Sequence, residues 1–287
     1  MTIAMTEIEA TSPTRAREWF SAVREGLTNL TLAPYLGPSV SVAGGSPAGY
    51  DQLAEYLGKK VALPKRARGN PWASAQYIES QKLRATVTKF MGDAFSAPPT
   101  PSPLQRYLAT LKLPLIVDTW YDGAMRAALS GRTDWAEVQG ISRAGIGESR
   151  WYRAYGAEGN ELTLDSLRSY PTLLYKPHGS VTPAKNFLIS DADYVEVLTE
   201  IDIQSPIPDI VRERREKIGF VYLGCRFHDQ MLRNYARQIA KRSMGPRFAI
   251  VDPRHGMSRN EQRLFEELDV KVLVCPWADA FQRLVEG

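Results

Sequence analysis

The residues best suited to chemistry follow apolar segments that look like buried strands. His178 comes after the apolar run Thr172 to Lys176, and histidine can accept a proton near neutral pH. Thr119 and Asp122 follow a second apolar run, although either can instead cap the next helix. A base, a hydroxyl and a carboxylate placed after strands suit acid–base chemistry on a bound ligand.

A glycine-containing turn follows the short apolar segment Leu30 to Tyr35. Its candidate binding residues are Gly37, Ser39 and Ser41, and a helix is expected from Tyr50. A strand that runs into glycine and small residues before a helix can present backbone N–H groups to a phosphate. The alternative is an ordinary loop rich in glycine, proline and serine.

Two further candidate positions lie in the last third of the chain. Gly224 ends the segment Phe220 to Gly224, and a glycine there allows close approach of a ligand. Asp229 follows it and can contact the ligand or cap the next helix. Asp252 ends another strand and can hydrogen-bond a ribose hydroxyl or serve as a turn residue before proline.

Strands alternate with helices along the chain, most clearly in its last third, where three strand–helix units follow one another. This order favours crossover connections, and hence an α/β fold with a Rossmann-like parallel sheet and helices on both faces. The carboxyl ends of parallel strands share one edge, so we expect the candidate residues to converge on one cleft. Near-continuous apolar strands predict a buried core of Leu115, Ile116, Val117, Val221, Leu223, Ile250, Val272 and Val274.

The domain organisation predicted from the sequence is simple. Residues 1–14 are expected to be a disordered tail, and residues 15–287 one domain. A small helical lobe is expected as an insertion at about 62–103, where residues 72–95 carry apolar side chains at helical spacing.

Composition excludes several classes of function. The chain of 287 residues is 44% hydrophobic and has a net charge of +4, with basic residues interspersed among acids, so nucleic-acid binding is not expected. It has no apolar run long enough to cross a bilayer and no secretory-type start, which predicts a cytoplasmic protein without membrane association. Its two cysteines, Cys225 and Cys275, provide neither a disulfide framework nor a metal knuckle.

Taken in order, these stretches resemble the SIR2-like family, whose usual motifs are GAGxS, TTNYD, HGS, D-D-Y and G-[YFT]-S-x-x-D. The counterparts here are Gly37 to Ser41, Asp118 to Asp122, His178 to Ser180, Asp191 to Tyr194 and Gly224 to Asp229. The resemblance covers roughly residues 27–285. It implies a Rossmann-like core with an inserted helical lobe, NAD as ligand or substrate, and no metal. In the defence-type branch it implies hydrolysis of NAD at the nicotinamide–ribose bond, with His178 as the catalytic base.

Two departures from the family motifs bear on activity. Pro38 and Ser39 stand in place of Ala-Gly, and proline removes a backbone donor from the turn. Trp120 replaces the motif asparagine, and tryptophan has one donor and no acceptor, so it cannot orient a water in the same way. We expect Trp120 at the mouth of the nicotinamide pocket, partly buried against His178 or the helical lobe. The absence of a four-cysteine zinc module also argues against sirtuin-type deacylation.

Three functions remain open on this evidence. The first is an NAD glycohydrolase acting through His178. The second is a catalytically silent protein that binds NAD, ADP-ribose or another nucleotide. The third is a protein-interaction module with a vestigial pocket. The sequence also leaves open whether the chain forms a homo-oligomer or acts with partner proteins.

Overall fold

A computed structural model describes residues 5–6, 11–41, 45–143, 150–200 and 207–286 of the chain. Within those ranges the helices are α1 Pro13–Thr28, α2 Tyr50–Lys60, α3 Pro71–Lys82, α4 Arg84–Ala94, α5 Pro103–Thr110, α6 Ala124–Ala128, α7 Asp191–Glu200, α8 Asp209–Arg215, α9 Gln230–Ala240, α10 Arg259–Glu267 and α11 Trp277–Glu286. Short 3-10 turns occupy Pro38–Val40, Lys65–Ala67 and Asp165–Ser169.

The strands of the same ranges are β1 Met5–Thr6, β2 Leu32–Leu36, β3 Leu115–Asp118, β4 Trp135–Gly140, β5 Tyr152–Gly156, β6 Glu161–Leu162, β7 Thr172–Lys176, β8 Gly179–Ser180, β9 Asn186–Phe187, β10 Gly219–Leu223, β11 Arg247–Val251, β12 Met257–Ser258 and β13 Val270–Val274. Nine of them belong to the main sheet, and β1–β12 and β8–β9 form two small antiparallel pairs. The chain divides into two compact units, each with its own strands.

The first unit comprises Met1–Val40, Ser102–Val117 and Asp209–Gly287. Its strands lie in the order β13-β11-β10-β2-β3, and the pairs β13–β11, β11–β10 and β10–β2 are parallel. Every residue of β2 and β10 is buried, which requires that both faces of these strands are covered. The α/β, Rossmann-like fold class expected from the sequence is confirmed.

The second unit comprises Ser41–Pro101 and Asp118–Pro208. Its strand order is β7-β4-β5-β6, in which β4 and β7 are parallel while β5 and β6 continue antiparallel. The helices α2, α3 and α4 pack against one another, so this helical group begins at Tyr50, earlier than the expected lobe boundary near residue 62.

Element boundaries differ from the prediction mainly in the helical group. The segment 72–95, whose apolar spacing predicts helix, forms two helices, α3 and α4, which meet at Leu83, where a φ of 82° ends the first. In the expected tail, Thr11 hydrogen-bonds the backbone of Val274 and α1 begins at Pro13, while residues 1–4 and 7–10 lie outside the described ranges.

The predicted core is confirmed with one exception. Of the eight apolar residues expected to be buried, seven are, but Val272 is half-buried because β13 is the edge strand of the sheet. Among the described helices, none has the length and apolar character needed to cross a membrane.

The fully buried Val221 in the middle of β10 tests the strand assignment. Val221→Asp should abolish cooperative folding, because an unpaired charge in an apolar core is very costly. Val195→Asp is the matched control, since Val195 on α7 is 61% exposed and should melt nearly as the wild type does. Circular dichroism during heating distinguishes the two, and a cooperative transition for soluble Val221→Asp would contradict the assignment.

Candidate functional site

The second unit contains a buried ion pair between Asp118 and Lys176, which is the last residue of β7. The Nζ of Lys176 lies 2.8 Å from Oδ2 of Asp118, and both side chains are almost completely shielded from solvent. Lys176 also donates to the backbone carbonyl of Asp122 at 2.8 Å, while Oδ1 of Asp118 accepts from the backbone N–H of Trp120 at 3.1 Å. The two charges therefore fix both ends of the segment 119–122.

Burial dominates the protonation of this pair. Desolvation raises the pKa of Asp118 to about 6, and the ammonium of Lys176 opposes the rise without cancelling it. The pair is thus a costly feature of the interior, which the hydrogen bonds to the segment 119–122 partly offset.

The Trp120 side chain is completely buried, not partly as expected. Its Nε1 donates to the carbonyl of Pro47 at 3.0 Å, and its ring lies edge-on to Tyr50 of α2 and to Phe95 after α4, at 5.2 and 5.5 Å. Of the two expected neighbours, the helical group is the one that it packs against. The indole thus fills space among the helices, and its one donor is already used.

His178 also lies in an apolar interior. Its ring is fully buried, 5.6 Å from the ring of Tyr194 and 6.3 Å from that of Tyr121. Desolvation lowers the pKa of His178 to about 3, against a hydrogen bond with the backbone of Thr119 that raises it. The imidazole is therefore neutral near pH 7, and a group with so low a pKa is a weak general base.

The segment Asp191 to Tyr194, matched above to the family motif, encloses this histidine. The carboxylate of Asp193 is buried, accepts from the backbone N–H groups of Ile189 and Ser190, and pairs with Arg84 of α4 at 2.8 Å. Tyr194 follows on α7 and presents its ring to His178. The motif thus serves here to hold a wall of the histidine's enclosure.

Beside these groups the second unit contains a small cavity. It has a volume of about 160 Å³ and is lined by residues that include Phe95, Asp122 and Thr182. Asp122 is half-buried, and its carboxylate caps α6 through the N–H of Ala124 at 3.1 Å. Ligand pockets usually span roughly 300–1,000 Å³, so this cavity suits one ring rather than a whole dinucleotide.

In the first unit, two turns meet backbone to backbone at the ends of β2 and β10. The N–H of Gly37 donates to Leu223, and the N–H of Ser39 donates to Gly224. A Cβ on Gly37 would lie 2.3 Å from the carbonyl oxygen of Gly224, and Gly224 itself has a φ of 65°. Both positions therefore require glycine.

The same contacts consume the donors that a phosphate would need. The N–H groups of Gly37, Ser39 and Val40 all donate to backbone carbonyls, and Pro38 has no N–H. Ser39 in this unit and Ser41 in the second unit are both half-buried, which leaves part of each side chain exposed. The continuation of the turn at residues 42–44 lies outside the described ranges.

The loop after Gly224 is held by two acids. Asp229 caps α9 by accepting from the N–H of Met231 at 2.8 Å, one of the two uses considered for it. Glu261 of α10 is buried and accepts from the N–H groups of Phe227 and Ser258, at 2.7 and 2.9 Å. Glu261 was not singled out in the sequence, although Ser258 and Glu261 have the spacing of a capping box.

Asp252 is buried at the end of β11 and already has partners. Burial favours its neutral form, but hydrogen bonds from the Arg254 side chain and from the backbone of Trp277 and Arg254 outweigh this and lower its pKa to about 2. The sequence analysis also missed Arg254. The available signal was that Arg254 lies two residues after Asp252, which ends a strand.

The structure therefore places the predicted residues in two groups. Gly37, Ser39, Gly224, Asp229 and Asp252 lie in the first unit. Ser41, Thr119, Trp120, Asp122 and His178 lie in the second. Their convergence on one cleft, and their roles toward a ligand, stay predictions. Lys176 is a further residue that the sequence analysis missed; its signal was a charged residue ending an apolar strand.

Among the described residues there is no group of three or more histidines, cysteines, aspartates or glutamates that could hold a metal ion. Comparison with protein families gives one match, in which residues 114–273 fit the model of the SIR2-like domain. The matched range contains the Asp118–Lys176 pair, His178 and Gly224. No curated protein matches the chain significantly.

The Asp118–Lys176 pair gives the first prediction from this site. Asp118→Asn keeps the acceptor for Trp120 but leaves the Lys176 ammonium buried without its counter-charge, which should cost about 3–5 kcal/mol of stability. The double variant Asp118→Asn/Lys176→Met removes both charges and should recover part of that loss. Urea denaturation measures the free energy of unfolding of both variants. If Asp118→Asn is as stable as the wild type, the ion pair is unimportant for stability.

The low pKa of His178 predicts an acid-sensitive fold. The pKa falls from 6.5 in the unfolded chain to about 3 in the folded one, so the unfolded state binds the extra proton between these values. The stability due to a neutral His178 is present above pH 6.5 and is lost as the pH falls, by about 2 kcal/mol at pH 5. His178→Gln should lack this loss.

The raised pKa of Asp118 acts in the opposite direction, because ionisation of that carboxyl opposes folding as the pH rises. Both proteins retain Asp118, so the difference between their denaturation free energies at pH 7.5 and pH 5 isolates His178. Equal pH dependence in wild type and His178→Gln would mean that the imidazole is accessible to protons in the folded chain.

Proposed function

The chain belongs to the SIR2-like domain family, and from that premise we propose that it binds NAD or a close nucleotide relative without hydrolysing it in this conformation. The observation that carries the proposal is Trp120, which stands in place of the motif asparagine, is fully buried, and donates its N–H to Pro47. A nucleotide can be bound without that asparagine, but a water cannot be positioned by an indole that has no acceptor.

The state of His178 supports the absence of turnover. A neutral imidazole with a pKa of about 3 has little tendency to take a proton from water or from a ribose hydroxyl. The rings of Tyr121 and Tyr194 also lie against the imidazole, which is fully buried.

Support for binding comes from the first unit. Gly37 and Gly224 follow neighbouring parallel strands, and the open edge at the carboxyl ends of such strands is where α/β sheets bind ligands. The hydroxyl of Ser39 is the donor that we propose for the pyrophosphate.

Hydrolysis of NAD is the second candidate, favoured by the 160 Å³ cavity beside Asp122, which is of a size for a ring such as nicotinamide. In that reaction a water oxygen bonds to C1′ of the ribose, and the C1′–N bond breaks. Its electron pair leaves with nicotinamide, and a base accepts the proton of the water. His178 would need a different environment from the one described to serve as that base.

Trp120→Asn tests the proposal directly. Wild type should bind NAD in a calorimeter without releasing nicotinamide, whereas Trp120→Asn supplies an amide donor and acceptor and should release it. The double variant Trp120→Asn/His178→Ala should lose the gained activity. Asparagine is smaller than tryptophan and leaves a cavity, which should lower the free energy of unfolding by about 3–5 kcal/mol. A thermal melt must therefore accompany each assay.

Trp120→Phe is the matched control, since it retains an aromatic ring but provides no amide, and it should stay inactive. If the wild type releases nicotinamide rapidly and His178→Ala does not, the proposal that the protein does not hydrolyse NAD is wrong, and NAD hydrolysis is established instead. No binding of any nucleotide by a folded wild type would overturn the proposal.

A further inference from the structure

The turn after β11 lies one strand away from the contact between Gly37 and Gly224. β11 pairs in parallel with β10, with Ala249 opposite Tyr222, and Asp252 directly follows the last residue of β11. Adjacent strands are about 4.8 Å apart, so Asp252 follows the strand next to the one that runs into Gly224. In dinucleotide-binding folds an acid at such a strand end binds the ribose hydroxyls.

Asp252 cannot act in that way with its present partners. Its Oδ1 accepts from the backbone N–H and Nε of Arg254, at 2.9 and 3.0 Å. Its Oδ2 accepts from Nε and Nη2 of Arg254, at 3.2 and 2.6 Å, and from the N–H of Trp277 at 3.1 Å. A carboxylate has about four acceptor positions, and these contacts use them.

These contacts fix the Arg254 guanidinium at the place where an acidic residue would otherwise bind the ribose hydroxyls. Arg254 is 68% exposed although one of its edges is fixed by the buried carboxylate. That edge carries Nε and Nη2, so the other edge, which carries Nη1, faces away from Asp252. A planar guanidinium presents paired donors that match phosphate oxygens, and being held in place lowers the entropy lost on binding.

We propose that Arg254 recognises a phosphate on the adenosine ribose, so that the preferred ligand is a ribose-phosphorylated adenine nucleotide rather than one with a free diol. The inference rests on the proposed nucleotide binding and names its ligand class. An arginine near this strand end is the general means by which such folds accept a ribose 2′-phosphate. Asp252 then acts as the positioning residue for the guanidinium.

The experiment measures binding of adenosine-half probes to the full chain by calorimetry at low salt. The probes are 5′-AMP, adenosine 2′,5′-bisphosphate and adenosine 3′,5′-bisphosphate, together with NAD and NADP. Wild type should bind one bisphosphate roughly 10-fold more tightly than AMP, and that preference should shrink as salt is added. The bisphosphate that binds more tightly identifies the 2′ or the 3′ position.

Arg254→Gln should erase this preference, so that AMP and both bisphosphates bind the variant with similar affinity. Arg259→Gln is the matched control, since it removes one positive charge from an exposed arginine at the start of α10 and should retain the preference. Equal binding of AMP and both bisphosphates by the wild type, or a preference that survives Arg254→Gln, would overturn the inference.

The same data separate the two proposals. If NAD and AMP bind but neither bisphosphate is preferred, nucleotide binding stands and the role of Arg254 is wrong. If none of the five probes binds a folded wild type, nucleotide binding itself fails, and the role of Arg254 fails with it.

Discussion

The arrangement of the second unit depends on one pair of opposite charges in an interior without solvent. Asp118 and Lys176 end two different strands, and each also bonds the backbone of the segment between Thr119 and Asp122. The positions of Trp120 and Tyr121 follow from those bonds, and so does the enclosure around His178. Buried pairs contribute little net stability compared with apolar side chains, so their clearest effect here is to specify one conformation of that segment.

Residues of the family motifs are present in this chain, but several of them have structural uses. Asp229 caps a helix and Asp193 anchors the start of another. Asp252, a candidate outside those motifs, has its carboxylate occupied by an arginine. The chemistry of the site is therefore set by which atoms remain available after folding. In the first unit the Ser39 side chain and the Arg254 guanidinium are partly exposed, and such groups donate hydrogen bonds to anions more readily than they transfer protons.

The sequence predicts the strands well because their apolar runs are local signals. Thr172–Lys176 has the bounds expected for it, and the segment expected at Phe220 to Gly224 is found one residue earlier, at Gly219–Leu223. The break at Leu83 has no such signal, since neither glycine nor proline marks it and the reversal comes from a strained φ of an ordinary residue.

The same difference between local and distant causes separates the predicted from the missed parts of the site. The glycines at 37 and 224 are recognisable from neighbouring residues. The partners of Trp120 are Pro47, Tyr50 and Phe95, which lie far away along the chain, so its complete burial was not predictable. Lys176 finds its counter-ion 58 residues away for the same reason.

The contact between the turns at Gly37 and Gly224 has a consequence for how this protein diverges from its relatives. When two large side chains contact each other in a core, a substitution that enlarges one can be compensated by a substitution that reduces the other, so both positions can vary. Where the backbones of two glycines are in contact, neither residue has a side chain that could become smaller. A larger residue at either position therefore cannot be compensated by a substitution at the other. Such glycines persist for as long as the fold does, whether or not any reaction is retained. The presence of these glycines in a chain therefore indicates its fold. Activity has to be judged from motif positions that the fold does not restrict to one residue type, such as Trp120.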